Sequence, residues 1–170
     1  INGEIYASQD AIELGFNVNL SYDKSTKTVK LYTLDELESL ASGIVKNAVI
    51  GENCSYSNKK LLKYGLVLIQ NTEGSYGIAN YYNYSESDYV VSYQYSDIRF
   101  IESSSTLIVT SSEDGKQGIL KLDLNNQGKA EIKIKPNYQL IRKMDENSEI
   151  YLVKENGKYG IIKLIGDEID

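Results

Sequence analysis

Apolar and polar residues alternate with a period of two over much of this chain, and short runs of that kind return at a regular spacing. Leu66-Val67-Leu68-Ile69, Leu107-Ile108-Val109 and Ile150-Tyr151-Leu152-Val153 are apolar runs of strand length. Each leads into a turn dipeptide, Glu73-Gly74, Asp114-Gly115 or Asn156-Gly157, and then into a second run carrying Gly77, Gly118 or Gly160 followed by isoleucine. Alternation of this period marks half-buried strands. Asp-Gly and Asn-Gly suit two-residue hairpin turns, where both positions take positive φ. The turn glycines Gly74, Gly115 and Gly157 lie 41 and 42 residues apart, the signature of a repeated supersecondary unit. Gly77, Gly118 and Gly160 fall inside the returning strand and predict a bulge or a close approach by a neighbouring ring. Tyr56, Tyr95 and Tyr138 precede the three hairpins at similar distances, and the last two open matching short strands. Ala130, Ile132 and Ile134 alternate with Lys129, Glu131, Lys133 and Lys135, a strand whose charged face suits a sheet edge.

The unit is therefore a strand, a hairpin, a connecting strand and a turn, repeated at 56–94, 95–137 and 138–170. Three such units form an open array, too few to close a propeller.

Residues 1–50 read differently. Ser8 to Gly15 predicts a short helix capped by Ser8 and ended by Gly15 in the left-handed conformation. Phe16, Val18, Leu20 and Tyr22 alternate with polar residues, as do Val29 and Leu31 after the loop Asp23-Lys24-Ser25-Thr26-Lys27. This is a hairpin with one buried face. Thr33-Leu34-Asp35-Glu36 is a capping box, with Tyr32 and Leu37 placed as a hydrophobic staple. Leu34, Leu37, Ala41 and Ile44 then form the apolar stripe of a helix, followed by a linker from Lys46 to Asn53. The fold class is mainly β with a small α+β N-terminal part, divided into 1–50 and 51–170.

Composition narrows the chemistry. The chain of 170 residues has a net charge of −6, which disfavours nucleic acid and anionic membranes as partners. It has no histidine and a single cysteine, Cys54. The commonest general base and zinc ligand are missing, and no intramolecular disulfide can form. No apolar run reaches the ~18 residues of a membrane span. The glycines of the repeat lead into strands, not into the helix that a phosphate-binding loop needs. No metal, cofactor or catalytic residue is expected. Carboxylates such as Glu113-Asp114 and Asp145-Glu146 fall in turns, which leaves a hydrolase as the weaker alternative.

Two stretches resemble known families. Asn2-Gly3-Glu4-Ile5-Tyr6, Ala11-Ile12-Glu13-Leu14-Gly15-Phe16 and Tyr22-Asp23-Lys24-Ser25-Thr26-Lys27-Thr28-Val29 resemble a truncated copper amine oxidase N-terminal-like (stalk) domain over about residues 1–32. That resemblance implies a surface-protein spacer without copper. Residues 56–170, with Gly-x-x-Gly-Ile at each hairpin, resemble the WG repeat, although the namesake tryptophan is Tyr76, Gln117 and Tyr159 here. This resemblance implies a bacterial secreted or cell-surface binding or scaffold module.

The candidate binding residues are tyrosines. Of 15 in the chain, Tyr81, Tyr82, Tyr84, Tyr89 and Tyr93 crowd one stretch among Asn83, Ser85, Ser87 and Ser92. Rigid amphipathic rings among small polar residues make adaptable recognition surfaces, and equally make cross-strand pairs in a tyrosine-rich sheet. The expected function is capture of a protein or cell-wall polymer through a sheet surface, with a pure spacer as the alternative. An array of this kind needs both ends covered. The helix at 34–47 would cover one, and a further repeat beyond residue 170, an oligomeric contact or a partner the other.

Overall fold

The computed structural model describes residues 7–16, 18–47, 53–55, 59–80, 89–124, 129–165 and 168–169. The chain is mainly β, with two α-helices near its start.

Helix α1 (Gln9–Phe16) begins where the Ser8 hydroxyl accepts from the Ala11 amide. Gly15 stays within the helix and has no positive φ, so the left-handed ending expected there does not form. Strands β1 (Val18–Asp23) and β2 (Thr28–Thr33) make the expected hairpin, with Leu20 opposite Leu31 and Tyr22 opposite Val29. Its apolar face is not buried as expected: Tyr22, Val29 and Leu31 are each more than half exposed. Helix α2 (Leu34–Asn47) starts from the capping box. The Glu36 amide donates to Thr33 Oγ1, and Glu36 Oε2 accepts from the Thr33 amide at 2.7 Å. The Thr33 amide and hydroxyl, both donating to Glu36 Oε2, hold that carboxyl below its ordinary value.

Three hairpins follow. Strands β3 (Asn53–Ser55), β4 (Leu66–Gln70), β5 (Tyr76–Asn80), β6 (Tyr89–Ile101), β7 (Thr106–Ser111), β8 (Gln117–Asp123) and β9 (Lys129–Tyr138) form one antiparallel sheet in sequence order. Strands β10 (Leu140–Lys143), β11 (Ile150–Glu155), β12 (Lys158–Ile165) and β13 (Glu168–Ile169) form a second. The hairpins β4–β5, β7–β8 and β11–β12 share one register about the strand glycine. Gly77 faces Ile69, Gly118 faces Val109 and Gly160 faces Val153. The residue after each glycine, Ile78, Ile119 or Ile161, faces Leu68, Ile108 or Leu152.

The turns differ in length. Only Asn156-Gly157 is a two-residue turn, with φ of 50° and 79° and Glu155 paired to Lys158. Around Gly74, the Gly74 amide donates to the Asn71 carbonyl, and Asn71 Oδ1 accepts from the Glu73 and Ser75 amides. Around Gly115, the amide donates to the Ser111 carbonyl, while Ser111 Oγ and Asp114 Oδ1 accept from the Glu113 and Lys116 amides. Both glycines keep a positive φ, but as the last residue of a longer loop.

Gly77 and Gly118 lie where the next strand bulges, and the register of β6 on β5 and of β9 on β8 shifts there. A Cβ on Gly77 would sit 2.6 Å from the Val91 carbonyl oxygen, and one on Gly118 2.6 Å from that of Ile134. The close approach is thus made by backbone, not by a ring. Tyr95 and Tyr138 do not open strands: the first lies inside β6 and the second ends β9. Tyr56 is outside the described residues. Strand β9 forms the expected edge of its sheet, but its charged face is broken at the bulge. The Lys133 side chain is nearly buried beside Glu131, while Ile132 is half exposed.

Three cores result; the first two hairpins each contribute their two faces to different ones, and the third contributes one face. Val67, Ile69 and Ala79 of the first hairpin pack with Leu37 and Ala41 of α2, joined by the staple residue Tyr32. The opposite face, Leu66, Leu68 and Ile78, shares a core with Leu107, Val109, Leu120 and Leu122 of the second hairpin. The other face of that hairpin, Ile108 and Ile119, shares a core with Tyr151, Val153 and Leu164 of the third. Each fully buried aliphatic side chain contributes about 1.5–3 kcal/mol of apolar burial, so the joints between hairpins carry much of the stability.

Candidate functional site

Of the candidate tyrosines, Tyr89 and Tyr93 are described; Tyr81, Tyr82 and Tyr84 lie outside the described residues. Tyr89 and Tyr93 stand on β6 with ring centroids 5.2 Å apart in an edge-to-face arrangement. Both are half-buried and pack against the core beneath α2. These two rings stand on one strand, packed on each other and on that core. Cys54 lies on β3 opposite Ile69.

The strongest charged constellation joins the second hairpin to the third. Lys121 Nζ on β8 lies 2.8 Å from Glu149 Oε2, just ahead of β11, and also donates to the Ser104 carbonyl at 2.8 Å. The Tyr151 hydroxyl donates to the same Glu149 oxygen at 2.7 Å, and Lys143 Nζ is 3.6 Å from the other. Burial alone raises the Glu149 carboxyl, but the bonds from Lys121 and Tyr151 and the charges of Lys121 and Lys143 outweigh it, so the group sits below its ordinary value. Burial, reinforced by Glu149, pushes the Tyr151 phenol well above its ordinary value. A carboxylate held ionised between two ammonium groups acts as a joint between sheets. A general acid needs the opposite, a carboxyl raised toward neutral pH.

A cleft of about 300 Å³ lies alongside, lined by Arg99, Ile101, Arg142, Lys143, Met144, Asp145 and Glu146. The Arg99 guanidinium donates to the Ile141 carbonyl. Among the described residues no group of three or more Cys, Asp and Glu is placed to hold a metal ion. No helix among them is long and apolar enough to cross a membrane.

The outer face of the third hairpin stands apart. Ile78 and Ile119 are wholly buried, whereas Ile161, at the same place in the third copy, is 64% exposed. Tyr159 beside it is 65% exposed, with Lys154 Nζ 5.4 Å from its ring centroid. Along the β12 edge away from β11, β13 pairs only with Leu164 and Ile165. Among the described residues no strand pairs with 158–163 on that side. Gly160 there meets nothing closer than Val153 Cγ2 at 3.6 Å. The repeat spacing located this hairpin in the sequence, but not its exposure. The repeat residues themselves do not separate Ile161 from Ile78 and Ile119, so alternation alone carries no signal of it.

No protein-family model matches the chain, and no curated protein or solved structure matches it significantly.

Proposed function

We propose that this chain is a non-catalytic β-repeat module of a bacterial secreted or cell-surface protein, holding a protein or cell-wall partner on a sheet surface. In this reading residues 56–170 are WG-type repeats, and the first 32 residues are a shortened stalk-like spacer. The observation that carries the reading is the use of the hairpin faces. The faces of the first two hairpins, and the inner face of the third, are spent on internal cores, and the Lys121–Glu149 pair ties the second hairpin to the third. The outer face of the third hairpin, with Tyr159 and Ile161, is apolar, aromatic and unspent, which is the composition of recognition surfaces.

Co-sedimentation with purified cell-wall polymer, and surface binding to isolated bacterial surface proteins, test the role. Retention that falls at least about tenfold in Tyr159→Ala with Ile161→Asp, at unchanged melting temperature, supports binding through this face. Retention unaffected by the pair excludes this face, and no retention of either partner class leaves a spacer. Turnover of glycoside or peptide substrates that disappears in Glu146→Gln would replace the reading with a hydrolase.

A further inference from the structure

We propose that the third hairpin is a docking site for one more β-hairpin of the same repeat type, seated in a register that the two earlier joints define. This deepens the binding role above by naming the surface and the kind of partner it fits.

At the first joint, β6 lies along β5 with Val91 opposite Ile78, and its backbone bulges over Gly77. At the second, β9 lies along β8 with Ile134 opposite Ile119, and bulges over Gly118. Gly160 occupies the same place on β12, and among the described residues no such backbone lies over it. A strand interior favours a side chain over glycine, and a glycine there marks a close backbone approach. Gly160 thus carries the feature that the strand-covered hairpins use, with no covering strand among the described residues.

Strand β13 supplies the register. Ile169 pairs with Leu164 and Glu168 with Ile165, as Ala130 pairs with Leu122 and Lys129 with Asp123 at the start of β9. The two residues of β13 hold the positions of the first two of β9, and the incoming strand lies in line with them. Its backbone carbonyl rests over Gly160, and an aliphatic residue faces Ile161.

Charge defines a further requirement. Lys121 of the second hairpin binds Glu149, which immediately precedes the third. Lys163 holds the equivalent place on β12 and is exposed. The occupant is accordingly a hairpin with aliphatic residues at the positions of Val153 and Leu164 and a carboxylate just before its first strand. A second copy of this chain cannot stack in the same way through its first hairpin, because α2 already covers the matching face there.

The test extends the chain with its own sequence. Residues 131–165 are appended after Ile169, which places a second copy of the third hairpin in the β9 register. Hydrogen exchange at 158–163 is expected to slow at least about tenfold, and the melting temperature to rise by about 4 °C or more. Gly160→Val and Ile161→Asp should each be nearly silent in the 170-residue chain and abolish both gains in the extended one. Unchanged exchange at 158–163, or gains that survive both substitutions, would overturn the proposal. Sedimentation of the unextended chain as a dimer that Ile161→Asp dissolves would also overturn it, making a second copy the occupant. None of these readouts uses a cell-wall or surface ligand, so the proposal can fail while the binding role stands, and the reverse.

Discussion

Lys121 and Glu149 meet at 2.8 Å across the seam between the two sheets, and Tyr151 donates to the same carboxylate oxygen. The pair is partly buried, so screening by solvent weakens it without removing it. Glu149→Gln is expected to lower stability by about 1–2 kcal/mol at neutral pH, read from urea denaturation.

The sign of its pH dependence follows from the lowered carboxyl value. The folded state binds the Glu149 proton less tightly than the unfolded chain. Its contribution is therefore full above the ordinary glutamate range and is lost as pH falls through the folded value. Denaturation midpoints across the acid range should fall less steeply for Glu149→Gln than for the wild type. Equal slopes would show that the pair does not couple to folding. Tyr151 acts in the opposite range: its raised phenol value means stability falls as pH climbs above the ordinary tyrosine value. Tyr151→Phe should remove that alkaline component.

The strand glycines should separate cleanly on substitution. Gly118→Ala places a Cβ 2.6 Å from a carbonyl oxygen and 2.8 Å from the Pro136 nitrogen, and both are backbone atoms that cannot swing aside. It is expected to cost about 2–4 kcal/mol, the range of serious strain and overpacking. Gly160→Ala meets only a methyl at ordinary contact distance and should change stability by less than about 0.5 kcal/mol. Equal effects in thermal melts would mean that the two glycines sit in like environments, against the contacts described for them.

Leu37 is wholly buried between α2 and the first hairpin. Leu37→Ala should destabilise the fold by about 2–4 kcal/mol and speed amide exchange in β4 and β5 more than in β11 and β12. A uniform change along the chain would indicate that α2 does not cap the array locally.

Gly157 sits at φ 79° after Asn156 at φ 50°, the pairing of a tight hairpin turn. Gly157→Ala is expected to cost about 1 kcal/mol through the left-handed conformation. A thermal melt unchanged from wild type would contradict that geometry.

Much of this was legible from spacing. Gly74, Gly115 and Gly157 marked the three reversals, Gly77 and Gly118 marked two bulges, and Thr33 with Glu36 marked the start of α2. Loop length was not legible, because a dipeptide does not reveal what its neighbours bind. Asn71 Oδ1 holds two amides across the first loop, and Ser111 with Asp114 holds two in the second. Both loops are wider than the two residues their glycines imply. The face of β9 failed for a related reason. One extra residue at the bulge reverses which side chains point inward, so Lys133 goes in and Ile132 comes out. In the candidate site, alternation identifies Ile161 as a core-type position, yet it is exposed among the described residues, because alternation tells which side chains share a face and not what lies against that face.

Strand β6 runs unbroken for 13 residues, pairing first with β5 and then with β7. Between β9 and β10 the chain instead breaks at Gln139, whose side chain accepts from the Gly157 amide. The first two hairpins are thus riveted by a common beam, while the third is attached through a pivot. If the two ends of the molecule were pulled apart, the third hairpin would peel away first and leave the other two standing.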